Sequence, residues 1–140
     1  MSVNTRFSTA VHVLAVLGYL EKQGVDLVSS GMIARSVNTN AVVIRNLIRA
    51  LKKAGLVNSK EGKGGGVFLT KTPAKISLQE IYAAVEREGV LTASQKPKVA
   101  ACPVSCGMKK VFDAVSEEVD GAVAKVLRGK SLRNVLEDLR

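Results

Sequence analysis

Apolar residues recur three and four apart along most of this chain, and the breaks in that rhythm divide it into elements. Thr5 or Asn4 can cap a first helix running to about Gln23. Within it Phe7, Ala10, Val11, Leu14, Leu17 and Gly18 make one stripe, and Val13, Val16 and Leu20 a second. One stripe is expected to face the core of its own chain and the other a helix of a partner chain. Ser29 or Ser30 can cap a short helix through Ala34 and Arg35, and Thr39 or Asn40 can cap another over Asn40–Lys53, ended by Gly55. In that segment Ile44, Leu47, Ile48 and Leu51 line the inner face. Val42, Asn46, Arg49 and Lys53 occupy the opposite one, with Arg45 and Lys52 on its flank. The joint Val37-Asn38-Thr39 has the length of a helix-turn-helix connection.

The pattern then changes. Leu56-Val57-Asn58-Ser59 and Val67-Phe68-Leu69-Thr70 read as paired strands around a tip, Lys60 to Gly66, that carries Lys60, Lys63 and three consecutive glycines, Gly64, Gly65 and Gly66. Glycines there supply positive φ and close backbone approach. Such a wing suits phosphate or minor-groove contact. A nucleotide phosphate loop is excluded, because no Lys-Ser/Thr pair follows the glycines and no helix opens there. Pro73 marks a connector over 71–75, and Ser77 with Glu80 has the spacing of a capping box before a helix Leu78–Glu86, with Gly89 as its stop. Residues 91–101 lack periodicity and read as a flexible loop. A long helix follows from about Ser105 to Leu127, its stripe built from Met108, Val111, Phe112, Val115, Val119, Ala122, Val123 and Val126. Gly129 stops it, and Ser131 begins a last short helix with Leu132, Val135, Leu136 and Leu139 as its apolar positions.

These elements predict a mainly α fold with a small β-hairpin: a winged helix-turn-helix domain over residues 1–75, then a connecting helix, a loop and a long C-terminal dimerisation helix over 76–140. The stripe of the long helix can pack on its own domain or on a second copy. A two-fold dimer fits better, because paired recognition helices then read a palindromic site. The outward face of Asn40–Lys53 suits the DNA major groove, where Arg pairs with guanine, Asn with adenine, and Val42 meets a thymine methyl.

Charge sharpens this reading. Residues 1–75 hold 11 Lys and Arg against 3 acids, a net of +8, while residues 76–140 hold 10 against 9, a net of +1. The positive field belongs to the winged-helix half, as a footprint for a polyanion should. The chain has only five aromatics, 2 Tyr and 3 Phe, too scattered to stack single-stranded bases, so duplex DNA is favoured over RNA. No apolar run approaches the roughly 18 residues of a membrane span and no signal-peptide pattern opens the chain, so a cytoplasmic location is expected. No paired-carboxylate, Ser-His-Asp or Cys-His arrangement is present, and an enzyme is not expected. The competing reading is a winged-helix adaptor for other proteins, against which the concentrated charge and glycine-rich tip both count.

The run SSGMIARSVNTNAVVIRNLIRALKKAGLV, then EGKGGGVFLT, then ISLQEIYAAVE, resembles the Rrf-two family of bacterial winged-helix regulators, and SVNTNAVVIRNL is most similar to its YwnA-like branch. The likeness covers nearly the whole chain. It implies a transcriptional regulator, with a repressor as the expected form, that binds DNA as a homodimer through its long helix. The DNA-contact positions it and the residue pattern together suggest are Arg6, Ser8, Thr39, Asn40, Val42, Arg45, Asn46, Arg49, Lys53, Lys60, Lys63, Gly64 and Gly65. The expected dimer seam is Met108, Val111, Phe112, Val115, Val119 and Val123. The family often has a basic residue where Glu61 stands and an aromatic where Val67 stands.

Several members of that family bind an iron–sulfur cluster through three cysteines in the region around residue 102. This chain has two cysteines in all, Cys102 and Cys106, and one histidine, His12, on the first helix. A cluster normally takes four ligands, so no iron–sulfur cofactor is expected, and zinc meets the same shortage. The pair can be inert apolar residues or a thiol switch. For the switch, Cys106 would lie in the first turn of the long helix, where the dipole favours a thiolate, with Lys109 and Lys110 near enough to assist.

Overall fold

The computed structural model describes residues 3–86, 88–91 and 96–139, the side chains of residues 3 and 4 excepted. Helix α1 (Val3–Lys22) is the hub. Ala10, Val13, Leu14, Ala15 and Leu17 are all buried, and the helix packs against four of the other five α-helices as well as the second strand. Around it come α2 (Ser30–Val37), α3 (Ala41–Lys53), β1 (Val57–Lys60), β2 (Gly66–Leu69), a 3-10 turn (Pro73–Lys75), α4 (Leu78–Val85), α5 (Pro103–Arg128) and α6 (Leu132–Asp138). The boundaries lie within three residues of those predicted. Residues 92–95, within the segment read as a loop, and the Asn4 side chain lie outside the described residues.

Two expectations change. The two stripes of α1 do not divide between its own core and a partner: Ala10, Leu14 and Leu17 of the first and Val13 of the second are all buried, and Val16 and Leu20 pack against the same core. The reason is α6. Its Leu132 is completely buried, Val135 and Leu136 lean on the same cluster, and Ser131 pairs with Ser77 across a short bridge. The core therefore crosses residue 75, joining Ile76, Leu78, Ile81, Val85 and Leu132 to residues of α1, α2 and α3. What α6 leaves open beside α1 is an apolar groove of about 580 Å³, lined by Val11, Val16, Leu20, Met32, Val135 and Leu139 among others.

The hairpin is antiparallel, with Val57 opposite Leu69 and Lys60 opposite Gly66. Val28 joins it as a single-residue third partner: its N–H donates to the Val67 carbonyl at 3.0 Å and its carbonyl accepts from the Val67 N–H at 2.8 Å. That pairing ties the hairpin to the residue just ahead of the Ser29 cap of α2.

Helix α5 differs from every other helix in the body. None of its 26 residues is buried. Met108 is 50% exposed, Val111 57%, Val115 44% and Val126 59%, while Phe112, Val119 and Val123 are half-buried, so its own chain covers the stripe only in part.

Ser77 caps α4 reciprocally with Glu80: Ser77 Oγ accepts from the Glu80 N–H and Glu80 Oε1 accepts from the Ser77 N–H, both at 3.1 Å. Glu80 Oε2 also receives Lys71 Nζ at 2.6 Å. The Lys71 hydrogen bond holds the Glu80 carboxyl below its ordinary range, opposed by burial and helped by the Ser77 N–H. Glu80→Ala should cost about 1 kcal/mol at neutral pH, the usual worth of such a cap. A carboxyl lowered on folding stabilises above its unfolded value, near 4.5, and loses that contribution as pH falls through the lower folded value. Thermal melts of both proteins from neutral pH to about pH 3 should therefore converge at the acid end.

Candidate nucleic-acid interface

The exposed face of α3 is set by what the helix buries. Ile44, Leu47 and Leu51 enter the core, which turns Val42, Arg45, Asn46, Arg49 and Lys53 outward. Val42 is 56% exposed, an apolar group left in water on an otherwise polar face. The two candidate caps resolve in favour of Asn40, whose Oδ1 accepts from the Val43 N–H at 3.0 Å, while half-buried Thr39 bonds through its N–H to the Ala34 carbonyl. The joint lies one residue later than predicted, over 38–40, because Asn38 takes the left-handed conformation (φ 59°) that ends α2.

Two contacts on this face have no signature in the sequence. Arg49 donates to Asn46 Oδ1 at 3.3 Å, so the two residues assigned to different bases share one hydrogen bond along the helix. Lys52 Nζ donates to Ser59 Oγ at 3.0 Å, joining α3 to β1. Lys52 and Ser59 are seven residues apart on two different elements, and only the folded hairpin brings them together.

At the wing, Lys60 and Lys63 are exposed. Gly64 has φ 77°, and the Gly65 N–H returns to the Gly62 carbonyl at 3.1 Å. A Cβ at Gly65 would overlap the Lys60 carbonyl oxygen. Arg6 is half-buried near the start of α1, and Ser8 is exposed with its hydroxyl donating to the Thr5 carbonyl at 3.2 Å. The ion pairs of the described residues, Lys71–Glu80, Lys109–Asp113 and Arg133–Glu137, all lie elsewhere. Among the described residues no carboxylate neutralises a cation of α3 or the wing. This surface can meet a polyanion with its charge intact.

With this geometry in place, the comparisons with known proteins decide the family. A model described as Rrf2, an iron-dependent transcriptional regulator, matches residues 3–138. YwnA of Bacillus subtilis strain 168 is 39% identical over 137 residues, 98% of each chain. The chain belongs to the Rrf2 family of transcriptional regulators. Among solved structures, IscR of T. potens aligns over the whole chain and 89% of its own length, with 26% identity and a TM-score of 0.70. CymR of B. subtilis, described as a global cysteine regulator, shares the fold at TM-score 0.67 and 21% identity, over 98% of this chain and 97% of its own. Rrf2 proteins are DNA-binding regulators, so the α3 and wing surface is where a role in transcription is to be sought.

The word iron in the family description calls for a test of the donor set. Cys102 is half-buried at the N-cap of α5, and Cys106 is exposed in its first turn. Among the described residues no group of three or more His, Cys, Asp and Glu side chains is placed to hold a metal ion. His12 is spent elsewhere, its Nε2 3.3 Å from Ser36 Oγ in a link between α1 and α2. Lys109, expected to assist a thiolate, is instead bonded to Asp113 at 2.6 Å. The Cys106 thiol points at the carbonyls of Val99 and Ala100, 3.6 Å from each. No helix among the described residues is long and apolar enough to cross a membrane.

Gly65→Ala should prevent the wing from closing while leaving α1–α4 folded. Duplex binding should weaken for all sequences alike, by about tenfold if the wing serves one or two phosphates. Helical circular dichroism should change little, and binding equal to wild type would show that the wing tip takes no part.

Proposed function

We propose that the protein is a homodimeric repressor that binds a palindromic duplex operator, with α3 of each protomer in successive major grooves and the Lys60–Gly66 tip over the flanking minor groove. One observation carries this reading: a cationic, amide-bearing helix face, with no carboxylate among the described residues to neutralise it, lies in the same chain as a long helix whose apolar stripe its own chain covers only in part. The first supplies a surface for DNA and the second a reason to pair. The groove between α1 and α6 offers the first helix a share in that pairing. Two-fold symmetry then presents two recognition helices to two half-sites. Repression by occupancy needs nothing beyond this binding. No step of this reading runs through iron.

The test combines sedimentation with fluorescence anisotropy on duplexes selected from a random library. Arg49→Ala should cost roughly 1–3 kcal/mol and relax base preference, whereas Lys63→Ala should weaken binding to all sequences and lower the salt slope by about one. Val115→Glu puts a charge into the seam and should give monomers or aggregates with lost operator affinity. Unchanged affinity in the Arg49→Ala, Lys63→Ala double variant would show the face to be wrongly assigned. Wild-type monomers at tens of micromolar, where even weak interfaces register, would remove the dimer.

The cysteine segment supports a regulatory part to the same reading. Cys102 stands at the N-cap with extended backbone, outside the helix proper, so only Cys106 is held in a helical turn. A hydroperoxide can take two electrons and two protons from the two thiols, leaving a disulfide, an alcohol and water. Cys106 would then give up its contacts to the Val99 and Ala100 carbonyls at the start of the dimer helix, and operator affinity would change. Affinity measured before and after mild peroxide should shift in wild type and stay constant in Cys102→Ser and Cys106→Ser. Equal affinity under both conditions in all three proteins would make the thiols structural.

A further inference from the structure

A dimeric DNA reader must hold its two recognition helices at a fixed separation, and in this chain that separation depends on how α5 leaves the body. Apolar packing fixes it only in part, chiefly through half-buried Leu127 against the core. No residue of α5 is buried, and α4 is the helix of the body it chiefly meets. One polar contact stands out against that bare surface. Asp120, about two-thirds of the way along α5, accepts through Oδ1 from the Val90 N–H at 2.9 Å, across thirty residues of sequence. Its carboxylate also lies against Gly89. A Cβ there would stand 2.5 Å from Oδ2 and 3.2 Å from Cγ and Oδ1.

Gly89 is not among the glycines with positive φ, so its backbone would accept another residue. Only the space taken by the carboxylate forbids one. The sequence suggests a helix stop at this position, yet α4 has already ended at Val85, with Glu86 as its C-cap. The glycine is left with a different task, that of admitting Asp120. The same segment is anchored on its other side, where the Glu88 N–H donates to Glu86 Oε1 at 2.9 Å. From α4 the connection continues inward through Tyr82, whose ring meets Phe7 of α1 edge-to-face at 5.4 Å. Burial, then the Glu86 and Asp120 carboxylates, push the Tyr82 hydroxyl upward, which keeps this junction uncharged on the tyrosine side.

We propose that Asp120 and Gly89 form a clasp that sets the angle of α5 on α4, and thereby the half-site spacing at which the dimer binds DNA. Asp120 is a positioning residue in this scheme and touches no base or phosphate. The proposal rests on the dimeric operator-binding reading given above.

A series of duplexes tests it. The palindrome selected by wild-type protein from a random library is remade with one or two base pairs added to or removed from its centre, alongside a single half-site. Full-length wild type, Gly89→Ala, Asp120→Ala and Asp120→Asn are titrated against each. Wild type should bind one spacing best. Gly89→Ala and Asp120→Ala should lose roughly tenfold at that spacing, the size of a mismatched contact, and bind the altered spacings nearly as well. Half-site affinity and sedimentation as a dimer should be unchanged, which a general loss of folding would not allow. Asp120→Asn keeps the accepting oxygen and should keep the wild-type profile. Because the two groups act on one another, the Gly89→Ala, Asp120→Ala pair should be less than additive. Should wild type bind no duplex or sediment as a monomer, the underlying reading fails and the clasp with it. If wild type binds as a dimer and both alanine variants show its spacing profile, the clasp alone is overturned.

Discussion

The burial of α1 is the constraint on which the rest of this structure depends. A helix that is apolar nearly all round cannot present a solvated face, so neighbours must close on it from several directions. Here α2, α3, α4, α6 and β2 do so. Each is amphipathic and short, and none offers enough apolar surface to be stable alone. Once Ile44, Leu47 and Leu51 of α3 are committed to the shared core, the outward direction of Arg45, Asn46 and Arg49 follows without further specification. The cationic surface is in this sense a by-product of a core requirement, and the same is true of the wing, which is pinned to the helix-turn-helix by Val28 and by the Lys52–Ser59 bond.

The chain separates its two kinds of surface cleanly. Cations are spread nearly evenly, 11 in the first 75 residues and 10 in the rest, and the described ion pairs leave those of α3 and the wing alone. Acids are concentrated in the second half, where they pair with Lys109 and Arg133 or cap backbone groups. Neutralised charge along α5 leaves an apolar stripe as its distinguishing feature. Uncompensated charge along α3 leaves attraction to a polyanion as its own. A chain that mixed the two patterns would weaken both, because carboxylates near α3 would repel phosphate and unpaired cations in the α5 seam would resist burial.

Much of this was legible in the sequence, and the reasons differ by element. The α3 stripe, the Ser77–Glu80 capping box and the glycine-rich tip are local patterns, carried by residues within seven positions of one another. The sidedness of α1 was only half legible. Two stripes were visible, but nothing local said that both would be covered within the chain or that α6 would return to place Leu132 in the core. The Val28 bridge, the Lys52–Ser59 bond and the contact of Asp120 with residues 89 and 90 are pairings between distant or separately folded segments. Each depends on where two backbones come to rest, which periodicity does not encode. Gly89 shows the limit well. As a letter it reads as a helix stop, and its steric purpose appears only when the carboxylate beside it is seen.

That last contact bears on how shape is controlled at an interface of this kind. Apolar burial supplies most of the free energy of association but is non-directional, so a valine stripe tolerates a range of crossing angles at nearly equal cost. A hydrogen bond weakens steeply with distance and angle. Placing one carboxylate against a backbone N–H, with a glycine opposite that leaves no slack, converts a permissive surface into one preferred orientation. The net strength of one such bond is modest, about 1–2 kcal/mol, yet that is enough to favour one geometry by roughly tenfold over its neighbours. A contact that weak can also be overridden, and in the proposed scheme oxidation at the Cys102–Cys106 end of the same helix would act on it.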